Sequence, residues 1–130
     1  MSLCIDTNVI SYIFKGDSRG ADYLPILAGH RGILSFMTVA ELDRWALESG
    51  WGKSRKEKLA KHLRRHVIYP YDREVCSRWA DICYAADRKG RPIGEADAWI
   101  AATALVLDYP LVTHNPSDFA AVDGLRILTA

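Results

Sequence analysis

Five short apolar runs, none longer than a β-strand, recur along this chain with helix-period segments between them. The runs cover residues 3–5, 33–37, 67–69, 111–113 and 125–128. Two short helical faces follow the first run: Val9, Ile10, Ile13 and Phe14, closed by Gly16, and residues 23–27, closed by Gly29. Helical spacing resumes from Thr38 through Leu42, Trp45, Ala46 and Ser49 and stops at Gly50. Residues 53–65 read as a charged helix with Leu59 and Leu63 on one side. Asp72 is placed to cap a stripe of Val75, Cys76, Trp79, Ile82, Cys83 and Ala86, which Gly90 and Pro92 break. Residues 95–107 form the last full helix, and 119–122 a helical turn. Strands that alternate with helices indicate βαβ units and a parallel sheet covered on both faces. The expected fold is a three-layer α/β/α sandwich with a five-stranded parallel sheet, residues 1–130 forming one domain.

In such a sheet the helices return antiparallel to the strands. Strand C-terminal ends and helix N-terminal ends therefore share one edge, where ligands of open α/β sheets bind. Asp6 follows the first strand, Glu41 lies in the first turn after the second, and Asp97 lies in the first turn of the helix starting near Gly94. Asn115 and Asp118 follow the fourth strand. Each has an ordinary structural use. Asp6, Thr7 and Asn8 are N-cap residue types, Thr38 with Glu41 spells a capping box, Glu95 and Asp97 suit a helix-start dipole, and Asp118 suits a turn.

Taken together they ask for more, because capping residues have no reason to converge. Two carboxylates about 5 Å apart repel by about 3 kcal/mol at an effective dielectric near 20. A divalent cation reverses that sign. Oxygen donors without His or Cys favour Mg²⁺ or Mn²⁺ over Zn²⁺. Such an ion polarises phosphoryl oxygens and lowers the pKa of water, which is the equipment for phosphodiester hydrolysis.

Charge distribution points the same way. The net charge is only +1, yet residues 53–66 hold seven Lys/Arg and one Glu, or +6, which leaves −5 for the remainder. A basic segment on an acidic body attracts nucleic acid, or simply forms a solvated helix face. Three cysteines, an odd number without metal-type spacing, read as buried reduced thiols. No apolar run reaches 18 residues and no signal peptide is visible, so the expected compartment is the cytoplasm, with no membrane contact. Trp45, Trp79 and Trp99 fall on apolar stripes and are expected in the core. Trp51, between glycines, is expected to be exposed and free to stack a base or meet a partner. His30, His62 and His66 read as surface or helix-face residues, and His114 as an alternative base beside the acids.

Four stretches carry a family resemblance: "IDTNVI" at 5–10, "TVAEL" at 38–42, "GEADAWIAATAL" at 94–105 and "LVTHNPSDF" at 111–119. In order and spacing they resemble the PIN domain, and more narrowly the VapC-type ribonuclease toxins of toxin–antitoxin pairs. The resemblance implies a PIN-like fold and a Mg²⁺- or Mn²⁺-dependent endoribonuclease that hydrolyses RNA by in-line attack of metal-activated water. It assigns metal ligation to Asp6, Glu41 and Asp97, with Asp6 central, and supporting hydrogen bonds to Thr7, Asn8 and Thr113. Many relatives carry an Asp where this chain has Asn115, so Asp118 is expected to take over the fourth acidic role, with Asp118 or the supporting Asn115 assisting through water. One ion is expected in the free protein, with a second arriving with substrate. Lys53, Arg55, Lys61, Arg64 and Arg65 are expected to guide the RNA backbone. A homodimer and a VapB-like antitoxin partner are also implied. Two alternatives stand beside this reading. One is a degenerate PIN module that binds RNA or protein without cleavage. The other is a phosphoryl-transfer protein with Asp6 as acceptor, disfavoured because the fourth strand ends Thr-His-Asn rather than on a Lys.

Overall fold

A computed structural model describes all residues 1–130. The chain runs β1 (Ser2–Ile5), α1 (Thr7–Phe14), α2 (Ser18–Leu27), β2 (Arg31–Ser35), α3 (Phe36–Glu48), α4 (Lys53–Leu63), β3 (Val67–Tyr69), α5 (Arg73–Arg88), α6 (Glu95–Leu107), β4 (Leu111–Val112), a 3₁₀ turn (Pro116–Phe119) and β5 (Ile127–Leu128). The five strands form one sheet in the order β3-β2-β1-β4-β5, and every pairing is parallel. The chain builds outward from β1 to β3, then returns to lay β4 against the other side of β1. The order therefore reverses between β1 and β4, and Asp6 stands at the end of β1 beside that switch point, where open α/β sheets leave a crevice.

Side chains alternate across β1 and divide the interior in two. Leu3 and Ile5 enter a core with Val9 and Ile10 of α1, Tyr23 of α2, Leu42 and Ala46 of α3, and Leu59 and Leu63 of α4. Cys4 enters the opposite core with Val75 and Ile82 of α5 and the buried alanines of α6. Helix α6 is apolar nearly all round, with residues 100–104 all buried, as a helix packed on several sides requires. Small side chains let it lie close to the sheet. A close approach also joins α2 to α1: a Cβ on Gly20 would lie 2.6 Å from the Ile13 backbone nitrogen, so only glycine fits. No helix is long and apolar enough to cross a membrane.

Several boundaries differ from the sequence reading, each for a local reason. Strand β2 stops at Ser35, and Phe36 and Met37 belong to α3. The Ser35 hydroxyl accepts a hydrogen bond from the Met37 backbone N–H at 3.1 Å, so Ser35 is the cap and the Thr38–Glu41 capping box does not form. Helix α2 begins at Ser18 rather than Tyr23, because the Asp17 carboxylate accepts from the Arg19 N–H and starts it early. Strands β4 and β5 are each two residues long, and β5 is an edge strand as expected.

Candidate active site

Asp6 is the most constrained acid in the chain. It is 4% exposed, and both carboxylate oxygens are held. Oδ1 accepts from the Thr7 backbone N–H at 2.7 Å, and Oδ2 accepts from the Thr113 hydroxyl at 2.7 Å. The first bond is the cap of α1; the second ties β1 to the end of β4. Capping and site roles thus coexist in one side chain.

Glu41 reaches the same edge because the capping box is absent. With the cap at Ser35, Glu41 lies in the second turn of α3 and its carboxylate is free of its own helix start. The Thr7 hydroxyl donates to Glu41 Oε1 at 2.7 Å and stands 3.1 Å from the buried Thr38 hydroxyl. Asp97 is the third residue of α6 and half-buried. Asp118 is exposed on the 3₁₀ turn.

Asp6 and Asp97 feel the charge of their acidic neighbours. Burial pushes the Asp97 carboxyl up to about 6, with Asp6, Asp118 and Glu41 adding to the rise. Burial also pushes Asp6 up from its ordinary value, the bonds from Thr113 and Thr7 pull it down, and the charges of Glu41 and Asp118 push it up again. No basic side chain offsets them. The ion pairs of the chain join Arg19 to Asp17, Arg44 to Glu48, Lys89 to Asp123 and Arg126 to Asp108, and none includes these acids. No three of the acids stand close enough to share one ion directly. Mg²⁺ does not need that, since it commonly keeps several waters and takes one or two carboxylates. The donor set is all oxygen, clustered and electrically uncompensated, and so fits a hydrated divalent ion.

The supporting residues behave unequally. Thr113 is fully buried and bonded to Asp6. The Asn8 side-chain oxygen accepts from the His114 N–H at 3.4 Å, and the Asn115 N–H donates to the Thr113 hydroxyl at 3.1 Å. Asn115 itself is exposed. His114 is engaged structurally: its Nδ1 lies 2.7 Å from the Tyr23 hydroxyl, which also reaches the Thr113 carbonyl at 3.3 Å and Thr129 Oγ1 at 3.2 Å. The role of Tyr23, wholly buried, is invisible in the sequence. Its only signal there is a place on an apolar stripe, which says nothing of a partner 90 residues on.

The basic segment sits elsewhere. The two largest hollows, about 480 and 450 Å³, run along α4 past Arg55, Lys58, Lys61 and Arg64, not over the carboxylates. Lys53 begins the helix. Arg65 and His66 line a small hollow with Leu3, Arg31 and Gly32, near the starts of β1 and β2. Arg64 and Arg65 thus lie toward the sheet edge opposite Asp6. Trp51 is not a free platform, because it packs against Trp45 with ring centres 4.6 Å apart and lies under the Arg55 guanidinium at 4.2 Å. His62 is a half-buried helix-face residue turned toward Phe14, and His66, past the end of α4, is half-buried against Gly32 rather than on the surface. Cys4, Cys76 and Cys83 are free thiols, and burial holds Cys4 protonated by pushing it up to about 12.

Comparison with known proteins agrees with this fold. The PIN domain matches residues 3–125. Ribonuclease VapC1 of Haemophilus influenzae is 30% identical over 133 residues, covering 97% of this chain and 96% of that protein. Toxin FitB of Neisseria gonorrhoeae is 31% identical and covers 93% of each chain. The solved structure of VapBC-1 from nontypeable Haemophilus influenzae superposes with a TM-score of 0.85 at 29% identity, covering 99% of this chain and 98% of that one.

The acid cluster predicts an unusual pH profile for stability. A raised native pKa means that, between the ordinary 3.8 and about 6, the folded chain binds more protons than the unfolded chain. Stability from this site is therefore greatest at the acid end and falls as pH rises through that window. Urea unfolding should show the loss in wild type and a smaller loss in Asp97→Asn. Millimolar Mg²⁺ should restore stability at neutral pH in wild type and less so in the variant. A wild-type profile that rises through the window, with no response to Mg²⁺, would contradict the mutual repulsion.

Proposed function

The chain belongs to the PIN-domain family, among its VapC-type members, and we propose that it is a metal-dependent endoribonuclease acting as the toxin of a toxin–antitoxin pair. The observation that carries this reading is a buried Asp6, clamped on both oxygens, with Glu41 and Asp118 close enough to perturb it, Asp97 perturbed by all three, and no basic side chain to offset them.

Asp6, Asp97 and Glu41 are the proposed ion holders, at least one of them through water, with Asp6 central because its position is the most rigid. A bound Mg²⁺ or Mn²⁺ supplies charge neutralisation at the phosphoryl oxygens and an acidified water. The chain does the rest. Thr113 and the Thr7 N–H hold Asp6 in one orientation, and the Thr7 hydroxyl holds Glu41. Asp118, exposed beside the cluster, is proposed to accept a proton from the attacking water. Asn115 can orient that water by hydrogen bonding but cannot act as a base. One tightly held ion in the free protein follows from the amide at Asn115. The proposed compartment is the cytoplasm, and the proposed partners are RNA, a second copy and a VapB-like antitoxin; ribonuclease relatives support the first and solved VapBC complexes the last.

Cleavage of total cellular RNA with Mg²⁺ or Mn²⁺ tests this directly. Wild type should cut, EDTA should abolish cutting, and Asp6→Asn should lose at least about 100-fold in rate, in line with removing a principal electrostatic group. Cleavage that survives EDTA and Asp6→Asn would refute the assignment. RNA binding without cleavage in any divalent metal would instead favour a degenerate binding module, the reading to which Asn115 lends weight.

The basic face of α4 is proposed to track the RNA backbone away from the reacting bond. The double variant Arg64→Glu/Arg65→Glu should weaken RNA binding and lower the slope of log affinity against log salt by roughly 0.7 for each phosphate no longer neutralised. Its kcat should be unchanged. An unaltered salt slope would remove these residues from the interface.

A further inference from the structure

Beside the carboxylates, on the same sheet edge, stands a row of aromatic rings that the metal chemistry does not use. Tyr71 follows the C-terminal end of β3 and is 70% exposed. Its ring meets Phe36 edge-on with centroids 6.0 Å apart. Phe36 is the first residue of α3, immediately past the end of β2. Behind it Phe36 meets Trp99 of α6 at 5.4 Å, and Trp99 stacks on Trp79 of α5 at 4.8 Å with planes 14° apart. Trp99 shares its helical turn with Asp97.

The chain around the outer ring is held, and the ring itself rests edge-on against Phe36. Tyr69 donates its hydroxyl to Asp72 Oδ2 at 2.7 Å, and Asp72 Oδ1 accepts from the Val75 N–H at 2.8 Å as the cap of α5. Tyr69, two residues before Tyr71, and Asp72, directly after it, are thus pinned to each other and to a helix start. A ring resting on Phe36 and projecting from this anchored segment exposes a large face to solvent. Neighbouring strands lie about 4.8 Å apart, so the ends of β3 and β1 are separated by roughly 10 Å along the edge. That places Tyr71 within reach of a nucleotide flanking a phosphate held at Asp6.

We propose that Tyr71, braced by Phe36 and Trp99, is a stacking platform for an unpaired base of the RNA substrate next to the scissile phosphate. The proposal rests on the ribonuclease reading for its ligand. Single-stranded RNA is recognised by splayed bases stacked on aromatic side chains, and stacking tolerates any base because every base has a π-face. The consequence is a preference for unpaired over duplex RNA at this position.

The test uses the full chain and two readouts. In steady-state cleavage of a single-stranded oligoribonucleotide, Tyr71→Ala should raise KM by roughly 5- to 10-fold and leave kcat within about twofold. Tyr71→Phe should match wild type, while Tyr71→Leu, similar in bulk but without a π-face, should behave like alanine. Separately, Asp6→Asn protein should quench the fluorescence of an aminopurine-substituted RNA through stacking, and Asp6→Asn/Tyr71→Ala should not. Urea unfolding should be unchanged, since Tyr71 is mostly solvent-exposed. An unchanged KM in Tyr71→Ala, or a leucine variant equal to wild type, would overturn the platform. So would a shift of sedimentation toward monomer in Tyr71→Ala, which would assign the ring to contact with a second copy. Failure of wild type to cleave RNA would count against the ribonuclease reading alone, because the quenching arm still decides the platform.

Discussion

One hydrogen bond organises the acidic edge: the Thr113 hydroxyl donating to the buried Asp6 carboxylate. It crosses between β1 and β4, the two strands on either side of the point where strand order reverses. Parallel backbone pairing brings the strands together, but it does not orient a side chain beyond their ends. The Thr113 bond does, and the Thr7 N–H completes the clamp from the other oxygen. Behind Thr113, the buried Tyr23 hydroxyl reaches its carbonyl and the neighbouring His114, joining α2 to the same segment. Asp6 therefore has almost no freedom to turn away from neighbours that repel it.

That rigidity gives the acid cluster its chemistry. Flexible surface carboxylates separate into water and lower their repulsion. Here α1, α3 and α6 start at one edge, and their acids have limited room to retreat. The molecule keeps its cations elsewhere, along α4, and leaves the cluster without an internal counter-ion. Both features favour an external divalent ion. The resulting separation of charge is physical: a negative edge at one end of the sheet, and a positive helix whose cations do not neutralise that edge.

The architecture is legible in the sequence because buried parallel strands are short apolar runs and the helices between them have clear stripes. All five strands and the sandwich can be read that way. Asp6, Glu41 and Asp97 can be placed at one edge from topology alone. What fails is local and depends on competing short-range bonds. Thr38 and Glu41 spell a capping box, yet Ser35 captures the helix start because it ends β2 and sits closer to the turn. Trp51 looks free between two glycines, but Trp45 and Arg55 enclose it. Arg64 and Arg65 belong to an evident basic run, but a run does not say which sheet edge its end approaches. Tyr23 needs a partner 90 residues away, which no periodicity encodes.

If these carboxylates form one cation site with Asp6 at its centre, calorimetric titration with Mn²⁺ near pH 6, in buffers of different ionisation enthalpy, reads it most directly. Mn²⁺ should bind at one tight site with release of protons, because Asp97 is pushed up to about 6 and must ionise, and tight binding should vanish in Asp6→Asn. Binding without proton release, or equal affinity in Asp6→Asn, would contradict a shared site.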